Sequence, residues 1–227
     1  MKLLKSLLSA AAVACLVVAP LSAQAGPITL TLDDGTGLAG GFVTVVGSLV
    51  SDTVSFAGTF GSANQWTINN IIGVGPSAVP GAPFGIDLSS FNATSTSGGK
   101  LTISLSENNL NFGVAGPKLV GGRIGGTIDT GGTLQYSLYA DTNNALFGSS
   151  VAGLAFTGSS SLPSFNQSGS AQINLANPFS MTIVTVLTHT QAGFTSYDFR
   201  GQIPEPATIA LVGLALLGLG AATRRKA

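Results

Sequence analysis

From residue 26 to residue 202 apolar and polar residues alternate in short runs, and no stretch sustains a helical period. The runs are Ile28–Leu32, Phe42–Val50, Thr53–Phe60, Gln65–Ile72, Lys100–Ser106, Thr133–Tyr139, Val151–Phe156, Ala171–Leu175, Met181–Thr188 and Thr195–Phe199. Their apolar members are mostly β-branched or aromatic, and clusters of Gly, Pro, Asn and Ser separate them. Strict alternation puts successive side chains on opposite faces of a strand, so one face can be buried and the other left wet. About nine or ten such strands with turns between them predict an all-β fold, an antiparallel β-sandwich of jelly-roll-like form.

Two of the runs look alike. Gly98-Gly99-Lys100-Leu101-Thr102-Ile103-Ser104-Leu105-Ser106 and Gly131-Gly132-Thr133-Leu134-Gln135-Tyr136-Ser137-Leu138-Tyr139 share both glycines, a leucine, a serine and a second leucine. Two copies are too few for a repeat architecture, so they predict two strands entered through similar Gly-Gly turns. Polar turns are expected after them at Glu107-Asn108-Asn109 and Asp141-Thr142-Asn143-Asn144. The Pro-rich segment Gly73 to Gly85 is expected to be the longest loop, crossing between sheets.

High glycine with few charges can signal disorder, but 12 Phe and the alternating β-branched residues argue for a folded body. The body keeps four basic residues (Lys100, Lys118, Arg123, Arg200) against eight acidic ones, which leaves it near −4. Nucleic-acid binding needs a basic stripe, so no nucleic-acid partner is expected. The only cysteine is Cys15, ahead of the body, which removes disulfides and thiolate chemistry from the domain.

The two ends are different in kind. Lys2 and Lys5 precede an apolar stretch from Leu7 to Val18, Pro20 breaks it, and Ala23-Gln24-Ala25 supplies a small-x-small cleavage pattern. This order predicts a signal helix and signal peptide over 1–25, cut by signal peptidase after Ala25. At the other end Pro204-Glu205-Pro206 precedes an uninterrupted run of apolar residues and glycines from Ile209 to Ala222, closed by Arg224, Arg225 and Lys226. A helix over that run is about 21 Å long, marginal for a hydrocarbon core of about 30 Å. Tilt and snorkelling can absorb the shortfall, and the basic cluster would hold the end on the cytoplasmic side. A C-terminal transmembrane helix is therefore expected. The two prolines keep Glu205 extended at the bilayer edge.

The order Pro204-Glu205-Pro206, apolar helix, basic tail resembles the sorting tail of PEP-CTERM proteins, exported proteins of Gram-negative bacteria that also make exopolysaccharide. The resemblance implies that a membrane-embedded exosortase recognises Pro204, Glu205 and Pro206, cuts near them and passes the body outward. A tail anchor that is never cut is the plainer alternative. The last strands, from Asn177-Pro178-Phe179 to Ser196-Tyr197-Asp198, also resemble those of many β-rich members. The family shares no single biochemical activity.

The body offers little chemistry. His189 is the sole histidine and follows the alternation of its run, so an ordinary strand histidine is expected rather than a catalytic base. No G-x-S-x-G elbow is present. Asp33-Asp34 is the only adjacent acidic pair, and Gly35-Thr36-Gly37 after it reads as a solvated turn. It is a weak calcium candidate. Trp66, Tyr136, Tyr139 and Tyr197 could line a sugar face, though core packing is the simpler expectation.

These readings divide the chain into a signal peptide (1–25), a secreted β-sandwich (26–202) and a sorting tail (203–227). They predict a non-enzymatic surface or matrix protein with no cofactor, membrane-anchored only transiently, with a structural or adhesive role in exopolysaccharide. A carbohydrate-binding module, calcium-assisted or not, is the alternative, and a glycan hydrolase using Asp33 and Asp34 comes third.

Overall fold

The computed structural model of the protein describes residues 25–76, 85–111 and 115–204. The expected signal helix and transmembrane helix lie outside them. Among the described residues no helix is long and apolar enough to cross a membrane.

Twelve strands form among the described residues: β1 (Thr29–Asp33), β2 (Phe42–Val46), β3 (Thr53–Phe60), β4 (Trp66–Val74), β5 (Gly85–Ser95), β6 (Gly99–Leu110), β7 (Gly116–Ile128), β8 (Gly132–Asp141), β9 (Leu154–Ser160), β10 (Ser164–Leu175), β11 (Phe179–His189) and β12 (Gly193–Gln202). They make two six-stranded antiparallel sheets, β2-β1-β6-β11-β8-β9 and β10-β7-β12-β5-β4-β3. From β5 onward the chain alternates between sheets, and only β8 and β9 are consecutive partners in one sheet. That winding is an eight-stranded jelly roll. The strands β1–β4 extend both sheets along one side, with β1 beside β6 and β4 beside β5.

The paired look-alike runs explain themselves here. β6 and β8 flank β11 in matched register, so Leu187 lies between Leu101 and Leu134, and His189 between Gly99 and Gly132. Each strand is entered through a glycine in left-handed backbone, Gly98 and Gly131, both at φ +87°. A side chain at either position would be strained.

Between the sheets, inward residues of β11 (Met181, Ile183, Thr185, Leu187, His189) face those of β12 (Thr195, Tyr197, Phe199). Tyr136, Phe156 and Phe199 pack as a triad with ring centroids 5.3–6.0 Å apart. Phe91 lies 4.5 Å from Tyr197. Two buried hydrogen bonds cross the same space: Thr185 Oγ1 to Tyr197 Oη at 2.6 Å and His189 Nε2 to Thr195 Oγ1 at 2.8 Å.

Several expectations need correction. The run from Phe42 ends as a strand at Val46, and the chain turns at 49–52. The segment from Gly73 does not cross between sheets, because β4 and β5 on either side of it are antiparallel neighbours. The turn expected at Glu107-Asn108-Asn109 is strand, since β6 runs on to Leu110. β5 and β7 were not visible as alternating runs. In β5 an extra residue at Ser89–Ser90 shifts the parity: Leu88 pairs Phe199 and Phe91 pairs Tyr197. Ser90 sits at φ +56° and donates its N–H to Asp198 Oδ1, which holds the bulge. In β7 glycine takes inward positions because the space is already filled: a Cβ at Gly122 would overlap the Phe156 ring, and one at Gly126 would overlap the β12 main chain at Ser196 O and Tyr197 Cα, with Tyr197 Cβ.

Gly126→Ala should therefore cost about 1–3 kcal/mol by overpacking, read as roughly 2–4 °C in Tm per kcal/mol. Gly121→Ala, whose Cβ would meet nothing closer than 3.7 Å, should leave Tm unchanged or raise it slightly, because glycine in a strand gives up more backbone entropy on folding.

Candidate functional site

The outer face of the second sheet carries a groove of about 670 Å³ across β5, β12, β7 and β10. Three of its lining residues form a cross-strand row in register, Asp87 on β5, Arg200 on β12 and Arg123 on β7, which Ser168 on β10 continues beyond the groove. Gly121 and Gly125 stand two residues either side of Arg123 on the same face, so the sheet is bare there and the row is bounded by troughs. Asp198, Thr127, Ser164 and Asn166 complete a polar lining.

Two guanidinium groups directly opposite each other repel. Asp87 and Asp198 offset that repulsion from inside the groove. Burial, with the Asp198 charge, holds the Asp87 carboxyl above its ordinary pKa, against the pull of Arg200. Such a row can hydrogen-bond hydroxyls and pair with carboxylates. None of its lining residues is a histidine or cysteine. The sequence pointed to none of these residues. The signal available was two of the body's four cations falling on outward positions of Gly-rich strands.

The residues singled out from sequence are dispersed. Trp66, Tyr136 and Tyr197 are buried in the core, and only Tyr139 is partly exposed, on the other sheet. They form no sugar-binding platform. His189 is buried, bonded to Thr195, and edge-on to Trp66 at 5.9 Å. Burial lowers its pKa while Asp129 opposes the shift. It acts as a strand histidine in the core.

The turn after Asp33-Asp34 is exposed at Gly35–Gly37 as expected, but Asp34 itself is not solvated. Asp33 Oδ1 accepts from Gly35 N at 2.7 Å, while Asp34 is buried at 5% exposure. Asp34 Oδ1 accepts from Thr36 N (2.9 Å) and Thr36 Oγ1 (2.6 Å), and Oδ2 accepts from Ser62 N (2.7 Å). The carboxylate thus pins the β1–β2 loop to the β3–β4 turn. Burial alone would raise its pKa, but the hydrogen bonds from Ser62 and Thr36 outweigh it and hold it far below the carboxylate range. Among the described residues no three His, Cys, Asp or Glu side chains cluster to hold a metal.

A second acidic pair carries more tension. Glu107 is fully buried, and neither of its carboxyl oxygens has a hydrogen-bond partner. Burial, then the charge of Asp52, pushes its pKa up to about 9.

The expected sorting residues lie at the edge of the described chain. β12 ends at Gln202, Ile203 is buried in the core at 1% exposure, and Pro204 is exposed. Glu205, Pro206, Arg224, Arg225, Lys226 and Ala23 lie outside the described residues. Ala25 packs on the core, and Gly26 N donates to Asn108 O at 2.8 Å.

Asp34 makes a pH prediction with a defined sign. A folded-state pKa below the unfolded value stabilises above about pH 4, and that stabilisation is lost as pH falls further. Asp34→Asn should cost about 1–3 kcal/mol at pH 7. The gap from wild type should close in denaturant melts carried from pH 5 toward pH 2.

No curated protein matches the chain. Among solved structures, the PA14 sugar-binding domain from an RTX adhesin is 14% identical with a TM-score of 0.29, and each chain is covered to 48%. The chain thus spans about half of that domain. The CBM22-1 xylan-binding domain from Paenibacillus barcinonensis Xyn10C is 14% identical, TM-score 0.31, covering 68% of this chain and 95% of the other. The adhesin domain of Epf from Streptococcus pyogenes is 9% identical, TM-score 0.39, covering 80% and 59%. None of these superpositions carries a residue or a ligand across. The family description that matches is the PEP-CTERM protein-sorting motif, over residues 202–226. That motif implies export, transient membrane anchoring and exosortase sorting to the surface. Residues 202–226 of the chain thus carry a PEP-CTERM protein-sorting motif.

Proposed function

We propose that the protein is a structural or adhesive component of the cell surface or exopolysaccharide matrix. Its body is a finished β-sandwich that a disposable tail delivers. The observation that carries this reading is the junction at Ile203–Pro204. The last core residue and the first residue of Pro204-Glu205-Pro206 are consecutive, so removal of the tail leaves every strand intact. Signal peptidase would cut after Ala25, leaving Gly26, whose N–H bonds Asn108, as the mature start. The exosortase would act on Pro204, Glu205 and Pro206 while Arg224, Arg225 and Lys226 hold the helix in the membrane. The role is non-enzymatic and rests on delivery of the folded body.

Fractionation of a strain with and without its exosortase tests this. The body should leave the inner membrane only when the enzyme is present. Full-length protein persisting in the inner membrane of the competent strain would sink the sorting claim.

The groove favours a second reading, binding of an acidic glycan. Arg123 is exposed and Arg200 adjoins it in register, which suits carboxylate-bearing sugars. Titration with the host's own exopolysaccharide should saturate, and Arg123→Ala should weaken binding about tenfold, as expected for one charge-assisted hydrogen bond. Flat isotherms for the wild type would remove this reading.

A further inference from the structure

We propose that Glu107 and Asp52 hold a calcium ion at the end of the sandwich beneath Gly75, a site independent of sorting and of the groove. Glu107 stands on β6 in the same parity as Leu101, Ile103 and Leu105, so the strand itself aims its carboxyl group between the sheets. It is completely buried, and both oxygens are unpartnered. Burying a carboxylate with nothing to satisfy it is expensive, and protonation removes the charge but leaves the carbonyl oxygen without a donor.

Asp52 faces it from the corner between β2 and β3. It is buried at 5% exposure and held at φ +51°. Its N–H donates to Ser48 O and its carbonyl accepts from Gly75 N, both at 2.8 Å. Gly75 closes the arrangement from β4's end. A Cβ there would overlap both Asp52 Oδ1 and Glu107 Oε2, so the two carboxyl groups converge on one small space that glycine keeps open. The two acidic side chains supply the charge of that space.

A cation between them removes the conflict by satisfying the orphaned oxygens and cancelling the like charges at once. Hard carboxylate oxygens without imidazole or thiolate select an alkaline-earth ion over zinc or copper. Calcium suits a buried site better than magnesium, which dehydrates reluctantly and demands a stricter octahedron. With two side-chain ligands, backbone carbonyls and water would complete the shell. The affinity is then expected in the range of extracellular modules, a Kd of roughly 10⁻⁴–10⁻³ M.

The full chain, purified in detergent, stripped with EDTA and melted at constant ionic strength, provides the test. Calcium at one hundred times its Kd should raise Tm by about 5–10 °C, and magnesium should give less than half that shift. Glu107→Gln should abolish the calcium shift yet melt at or above metal-free wild type, because the cost of the buried acid is gone. Should Glu107→Gln fail to fold, Asp52→Asn must abolish the shift in its place. The proposal is overturned if calcium leaves wild type unmoved, if magnesium matches it, or if the variant that folds keeps the calcium shift.

Discussion

The contact between β11 and β12 is the constraint on which the molecule depends. These strands lie in different sheets and are joined by a turn of three residues. Each sits inside its sheet, β11 between β6 and β8, β12 between β5 and β7. Thr185 to Tyr197 and His189 to Thr195 bridge the interior with hydrogen bonds inside an apolar core, and Phe199 packs against Tyr136 and Phe156 across the same space. Each of these two bonds pairs polar atoms from opposite sheets, which specifies one alignment of the sheets rather than merely adding stability, although His189 Nδ1 has no hydrogen-bond partner. Two features of the outer surface follow. The row Asp87–Arg200–Arg123 is aligned by the register of β12, and the described chain leaves the sandwich from that same central strand.

Much of the architecture was legible because alternation is a direct image of a half-buried strand. β1, β3, β4, β6, β8, β11 and β12 lie where alternating runs stand. β5 and β7 were hidden for opposite reasons. The bulge at Ser89–Ser90 inserts a residue and breaks the period, whereas Gly122 gives up its inward position to Phe156 of the facing sheet and Gly126 to the main chain of β12. Both causes are tertiary, and neither leaves a local signature. The same limit applies to sites. The groove draws on four strands far apart in sequence. Glu107 follows the inward parity of its strand yet reads locally as the start of a polar turn. Asp34 was visible as a turn residue, but its burial comes from Ser62 in a distant turn.

The tail was legible for a different reason: its parts are contiguous, so a motif, an apolar segment and a basic end can be read without knowing the fold. The structure adds how the body meets it. With Ile203 in the core and Pro204 exposed, no linker separates the sandwich from the motif. The body would therefore stand directly at the membrane face while the tail is held there, and it is compact before any cut.

Intact-mass spectrometry of the protein released from the surface tests the delivery of a finished domain most directly. The account predicts a chain that begins at Gly26, retains Ile203 and lacks the apolar segment through Ala227. A released chain that still carries Arg224, Arg225 and Lys226, or one trimmed into β12, would contradict it.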